Sequence, residues 1–298
     1  MLLTRGPHQT LPATDRERAS SVTTDADQLQ SPARLRDASR AQRSWSLLVS
    51  LSHRELRHRY KGSALGVVWA LILPLVMVLA YTLVFSVLWR VVSVPHYALF
   101  VATGIAAWVI FSGSLTSGGA SLTGNAELIK QVRFNRMVLP ISATTSQLFT
   151  AAVLFAIVMP FNIILMPGTR WALVLAPIAL MSLLLFSFGL TLMLAGLNVY
   201  LRDAEYLVAA ILQPLFFITP IFWVIKDLPL AQENPWVIKL ITYANPVTPF
   251  VLTIQDTMFW GKWPGMGILA YSVLGGILTF AAGVWVFRRL ERDVVAEL

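Results

Sequence analysis

Ala172–Tyr200 reads ALVLAPIALMSLLLFSFGLTLMLAGLNVY and contains no Asp, Glu, Lys, Arg or His. It exceeds the ~20 apolar residues that carry an α-helix across a ~30 Å hydrocarbon core. A helix apolar on every side has no face for water, so it sits in a large core or in lipid. Composition decides between the two. Of 298 residues, 56% are hydrophobic and 13% are charged, against about 25% charged in soluble domains. The run reads as a transmembrane span at 172–198. Others of its kind are read at 64–89, 97–122, 138–166, 205–225 and 264–287. The expected fold is an all-α integral membrane protein of six transmembrane helices. The second span is the least regular, because its end, SGSLTSGGASLTG, is small and polar. Small residues favour close helix packing, which predicts a span buried against its neighbours.

The net charge is +8, which in a soluble chain suggests nucleic acid. Here the cations follow the spans. Arg54, Arg57, Arg59 and Lys61 precede the first, Lys130, Arg133 and Arg136 follow the second, Arg202 follows the fourth, and Arg288, Arg289 and Arg292 follow the sixth. The alternate loops hold only Arg90, Arg170, Lys226, Lys239 and Lys262 over more residues. Lys and Arg gather on the cytoplasmic side of a membrane. The bias places both termini in the cytoplasm and leaves no need for a nucleic-acid partner.

Residues 1–43 are polar and proline-dotted, with too little apolar surface to offset ordering, and are expected to be a disordered cytoplasmic tail. They lack the apolar core of a secretory signal. Residues 44–61 contain WSLLVSLSHRELRHRYK, which puts Trp45, Leu48, Val49, Leu56 and Tyr60 on one helical face and Arg54, Arg57, His58 and Lys61 on the other. Such a basic amphipathic helix lies in the membrane interface. Gly62 and Gly66 then let the chain turn into the six-span domain, 62–287, and residues 288–298 form a cytoplasmic tail.

Several chemistries are disfavoured. There is no cysteine, hence no disulfide, thiolate metal site or thiol nucleophile. No ionisable residue lies in a span interior, Glu205 standing at the edge of the fifth, and ion-coupled carriers generally need one there. Asp203, Glu205, Asp227, Glu233 and Asp256 form no paired-acid or metal-ligand pattern, and His8, His53, His58 and His96 are scattered. No enzymatic site, metal or cofactor is expected. The chain also lacks G-x-x-x-x-G-K-[ST], so energy for uphill movement must come from another polypeptide.

Two connections stand out. GNAELIKQVRFNRMVLP, Gly124–Pro140, is a short loop in which Glu127, Lys130, Gln131 and Arg133 form a polar turn while Leu128, Ile129 and Val132 pack inward. It reads either as a solvated loop or as a docking helix that transmits force from a cytoplasmic partner. KDLPLAQENPWVIKLITYANPVTPFVLTIQDTMFWGKW is too apolar for a free loop and too rich in proline for a span. WVIKLITYA and VTPFVLTIQDTMFW within it are expected to be short helices dipping into the membrane as cap or gate elements, or simply a packed outer loop. Trp89, Trp171, Trp223 and Trp236 fit an interfacial belt. Tyr81, Phe85, Trp108 and Phe111 lie deeper and suit either stacking on sugar rings in a conduit or ordinary core and lipid contact.

The order of RELRHRYKGSALGVVWALILPL, LIKQVRFNRMVLP, NVYLRDAEYLVAAILQPLFFITPIFW and YANPVTPFV resembles the permease subunit of type-2 ABC exporters, closest to the branch that exports polysaccharides, O-antigens or teichoic acids. The resemblance runs from about Trp45 to the C-terminus. It implies a multi-pass protein of a bacterial plasma (inner) membrane, a homodimer with two cytoplasmic ABC ATPase subunits that bind the ATP and Mg. Trp45–Lys61 becomes an interface helix. The loop near Asn125–Arg136 becomes an ATPase-coupling element carrying Glu127, Leu128, Lys130, Gln131, Arg133 and Arg136. Reentrant external helices near Pro235–Trp260, with Trp236, Tyr243 and Phe250, become a gate before the last span. The implied substrate is a polyprenyl-diphosphate-linked glycan, which Arg54, Arg57, Arg59 and Lys61 attract at the cytoplasmic entrance besides membrane lipid. A drug or small-lipid exporter permease and a non-transporting membrane scaffold are the alternatives.

Overall fold

The structure, a computed structural model, describes residues 40–60, 68–88, 94–132, 134–166, 168, 171–201 and 203–291. The tail at 1–39, Lys61, the Gly62–Gly66 turn, Arg90, Arg133, Arg170, Arg202 and Arg292 lie outside them, as do the side chains of Leu56, His58, Arg59 and Tyr60. The chain divides into two units, Met1–Ser46 and Leu47–Leu298. In the first, the described residues are helical from Arg40.

Every regular element among the described residues is helical. They are α1 (Arg40–Tyr60), α2 (Trp69–Thr82, continuing as a π-helical stretch Leu83–Leu88), α3 (Tyr97–Gly119), α4 (Ala126–Gln131) and α5 (Val138–Leu165). After these come α6 (Ala176–Tyr200), α7 (Ala204–Ile218), α8 (Pro229–Glu233), α9 (Pro235–Ala244), α10 (Thr248–Gln255, continuing as a π-helical turn Asp256–Trp260) and α11 (Met266–Leu290). Among the described residues, five helical segments are long and apolar enough to cross a membrane: Leu71–Leu88, Tyr97–Gly119, Val138–Leu165, Ala172–Tyr200 and Met266–Leu290. α1 begins before the expected Trp45. α7 is the exception to the expected spans. It stops at Ile218, giving 15 residues and about 22 Å at ~1.5 Å per residue. Pro220 cannot supply the next helical amide, and the remaining depth is covered by irregular backbone.

The closest helix contact joins α6 and α11. A Cβ on Gly189 would lie 2.4 Å from the Thr279 carbonyl oxygen, and one on Gly283 would lie 2.2 Å from the Gly189 carbonyl oxygen. Gly276 meets Ser182 at 2.6 Å and Gly196 meets Leu290 at 3.0 Å by the same measure. The contact residues therefore recur every seven positions, Ser182, Gly189 and Gly196 against Gly276, Gly283 and Leu290. Residue numbers rise together, so the helices run parallel. A seven-residue repeat keeps one seam in register along two helices, and small residues let backbones approach where lipid supplies no hydrophobic drive. α3, the least regular span in sequence, is the most buried, with Val101, Ile105, Ala106 and Ala107 fully enclosed.

Contacts between helix ends define two layers. At one, Tyr200 Oη donates to the Leu290 carbonyl at 2.9 Å and Ser52 pairs with Thr145 at 3.0 Å. Arg54, Arg57, Lys130, Arg136, Arg288 and Arg289 lie there, so it is the basic end. At the far end, Trp171 stacks on Trp263 at 5.8 Å, and Asn162 Nδ2 donates to the Met258 carbonyl at 2.7 Å. The segment containing α9 and α10 starts and finishes at the far end. Its two halves bend by 104°, so the pair is reentrant and not a crossing.

The seam yields a paired expectation. At Gly275, next to Gly276 but rotated off the seam face, an added Cβ meets only ordinary contacts at 3.7 Å and beyond. Gly283→Ala lowers stability by about 1–3 kcal/mol through overpacking against backbone, whereas Gly275→Ala is neutral or raises it by up to ~1 kcal/mol through helix propensity. Thermal unfolding in detergent, followed by tryptophan fluorescence, compares the two.

Candidate functional site

α2, α3 and α7 form an open pocket of about 320 Å³, lined by Met77, Tyr81, Trp108, Thr116, Ala209, Leu212, Gln213, Phe216 and Phe217. The two outer walls each carry an interior proline, Pro74 in α2 and Pro214 in α7, which removes a backbone donor and loosens the helix locally. α2 then widens into its π-helical stretch, a form found at functional sites. Tyr81 is 5.7 Å from Phe216 between ring centroids, and Trp108 meets Phe216 edge-on at 5.3 Å. The Gln213 amide supplies donors and an acceptor inside this aromatic wall. A mostly apolar pocket of a few hundred Å³ with few polar groups is the usual form of an organic-ligand site.

Of the aromatic residues singled out in sequence, Tyr81 and Trp108 line the cavity. Phe85 stacks on Tyr81 at 6.2 Å without lining it. Phe111 is core: it is 2% exposed and stacks on Phe186 at 5.8 Å. Sequence reading missed Gln213, Phe216 and Phe217. The available signal was a lone amide beside a proline in AAILQPLFFI, where an isolated polar side chain within a span is costly unless used.

The reentrant pair is divided in the same way. Trp236 is exposed, and half-exposed Tyr243 lies 5.7 Å from Tyr271. Phe250 is fully buried and stacks on Phe186 at 4.4 Å, so it joins the reentrant pair to the core and presents nothing to the surface. Asp256, on the turn after α10, is pushed up to about 6 by burial, against the opposing pull of Lys262 and Lys226.

The basic end holds a second assembly. α4 has Glu127 in its first turn and Lys130 in its last, each matched to the helix dipole. Ile129 is buried in a cluster with Leu122, Leu139, Leu192, Ala195, Val199 and Phe287, against which Leu51 and Leu128 also pack. Glu127, Lys130 and Gln131 are exposed. Val132, expected to pack inward, is exposed as well, because the chain leaves the helix there with extended φ and ψ. Arg54 donates to Asn125 Oδ1 at 2.7 Å, and Arg136 donates to the Glu291 carbonyl at the end of α11. Arg54 and Arg57 are exposed. The packed side of α1 carries Leu48, Leu51 and Ser52, and Val49, assigned to the apolar face, is exposed. Among the described residues there is no cluster of three or more metal-ligating side chains.

The Asp256 environment fixes the sign of a pH effect. Its folded-state pKa lies above the unfolded value, so the fold favours the neutral acid, and that stabilisation is present in full below about pH 4. It is lost as pH rises through about 6. Thermal unfolding between pH 4 and 7 shows a fall in melting temperature that Asp256→Asn reduces.

Comparison with known proteins now bears on these features. The O-antigen export system permease protein RfbA of Myxococcus xanthus is 29% identical over 249 residues, covering 82% of this chain and 93% of that protein. A protein of the same name from Klebsiella pneumoniae is 30% identical over 251 residues, covering 83% and 93%. Residues 46–259 match the family described as ABC-2 type transporter, a range that covers most of α1, the pocket walls, α4, α9 and α10. The chain belongs to the ABC-2 type transporter family, as a membrane-spanning transporter permease.

Proposed function

We propose that this chain is the permease of an ATP-driven exporter that moves a lipid-linked cell-envelope glycan, such as an O-antigen or related polysaccharide, out of the cytoplasm. The observation that carries this reading is the aromatic cavity. Tyr81, Trp108, Phe216 and Phe217 offer ring faces of the kind that pack on pyranoses, and Gln213 offers hydrogen bonds to hydroxyl groups. Its similarity to the two O-antigen export permeases supports the same substrate class.

The cavity walls point to a second copy. On α2, Leu73, Val76 and Leu79 are exposed, and on α7, Leu207, Ile211 and Phe217 are exposed. A homodimer facing these helices together encloses one conduit from two half-sites. The basic end faces the cytoplasm of a bacterial inner membrane with both termini there. Arg54 and Arg57, with Arg59 and Lys61, attract anionic lipid and the diphosphate of a polyprenyl carrier at the entrance. Two ABC ATPase subunits, which hold ATP and Mg, dock on the exposed Glu127, Lys130 and Gln131 and on Arg133, two residues further along the sequence. Arg54–Asn125 and Arg136–Glu291 carry the motion of α4 to α1 and α11.

The test uses the permease copurified with its ATPase, in inverted membrane vesicles from cells that make the lipid-linked glycan. ATP-dependent appearance of glycan in the lumen is read with a lectin. Joint alanine substitution of Glu127, Lys130 and Arg133 cuts export at least tenfold while ATP hydrolysis continues. Tyr81→Ala with Phe217→Ala cuts export with normal complex assembly. Absence of ATP-dependent export by the wild-type complex overturns the reading.

A further inference from the structure

The Thr219 amide closes the last helical turn on the Leu215 carbonyl at 3.0 Å; beyond it the chain runs as irregular backbone at the far end, with Thr219 and Ile221 fully buried. Backbone polar groups at such depth need partners from elsewhere in the protein. The partners come from three separate elements. Gln255, at the end of α10, donates from Nε2 to the carbonyls of Pro220 at 3.1 Å and Ile221 at 3.4 Å. Tyr97, at the start of α3, donates its hydroxyl to the Phe222 carbonyl. Asn245, at the bend between α9 and α10, donates to Thr219 Oγ1 at 2.8 Å and accepts from the Val247 amide at 3.0 Å. All three side chains are buried. Gly104 completes the seat: a Cβ there would fall 2.7 Å from the Ile221 carbonyl oxygen, so the segment lies directly on α3.

This clamped backbone directs one large side chain toward the cavity. The Phe222 ring stacks on Tyr81 at 4.6 Å and lies 5.6 Å from Phe216 and 5.9 Å from Phe217. Those three rings are cavity walls. Phe222 also meets Phe85 at 5.3 Å, one turn beyond Tyr81 toward the far end, so it covers the cavity on that side. We infer that Phe222 is the stopper at the far end of the aromatic cavity, and that Gln255, Asn245 and Tyr97 are positioning residues holding it shut. The reentrant pair is hydrogen-bonded to Thr219, Pro220 and Ile221, the residues just before the stopper, so moving the pair moves Phe222. This inference rests on the conduit reading above.

The chain has no cysteine, so a Phe85→Cys, Phe222→Cys pair, replacing rings 5.3 Å apart of which neither lines the pocket, is unique within it. In the whole permease–ATPase complex, mild oxidation cross-links the pair and stops ATP-dependent glycan export, and a reductant restores it. Formation of the bond itself reports a folded far end. In proteoliposomes without ATP, trapped radiolabelled sucrose serves as the probe. Phe222→Ala and Gln255→Leu each raise its efflux about tenfold, the double variant leaks no more than either alone, and Phe222→Trp stays tight. If the oxidised pair exports normally, or Phe222→Ala holds sucrose like the wild type, the stopper is overturned while export by the wild-type complex still upholds the conduit. If the wild type exports nothing with ATP, the conduit falls and the stopper with it.

Discussion

Backbone contact between α6 and α11 at Gly189 and Gly283 is the constraint on which the remaining architecture depends. In lipid, helices gain little by hiding apolar side chains from their surroundings, so association rests on van der Waals contact and interhelical hydrogen bonds. The glycines permit that contact, and the seven-residue spacing extends it over the full depth of both helices. One end of the seam aligns Trp171 with Trp263 and the other aligns Tyr200 with the Leu290 carbonyl. Both layers of the protein are thereby referred to a single rigid pair, against which α3 and the reentrant helices are packed.

The less constrained elements stand on the other side. α2 and α7 pack on the body through aliphatic and aromatic side chains, and each carries an interior proline. Much of their surface is left for lipid or another copy of the chain. A transporter needs a fixed body and walls able to move against it, since a packed interior resists gradual deformation. The distribution of glycine on one side and of proline and aromatic rings on the other provides that division. At the basic end the short helix α4 is not an independent appendage, because Ile129 shares its cluster with Leu192 and Phe287 of the rigid pair. A push on α4 therefore reaches α6 and α11 through packed side chains, and reaches α1 through Arg54 and Asn125.

Much of this was legible in the sequence because the bilayer imposes a simple rule. Long apolar runs must be helices with satisfied backbones, and cation placement identifies the cytoplasmic side. The five long spans and the short helices of the two connections were readable in that way, while α7 stopped short of the expected span. Periodicity did not show which residues of an apolar helix face inward, since such a helix presents apolar side chains all round. Phe111 and Phe250 therefore read like Tyr81 and Tyr243, yet the first two are sealed in the core against Phe186. Val132 likewise looked inward until the helix ended one residue before it.

The sequence by itself determined the class of fold and the family, because these follow from length, charge and residue order. Tertiary structure alone decided where the pocket lies and which residues line it. Gln213, Phe216 and Phe217 meet Tyr81 and Trp108 only when α7 is set beside α2 and α3. Gln255 reaches Pro220 only when the reentrant pair folds back against the unwound end of α7. Hydrogen bonds between residues so far apart leave no periodic trace in the chain, and only packing brings their donors and acceptors together.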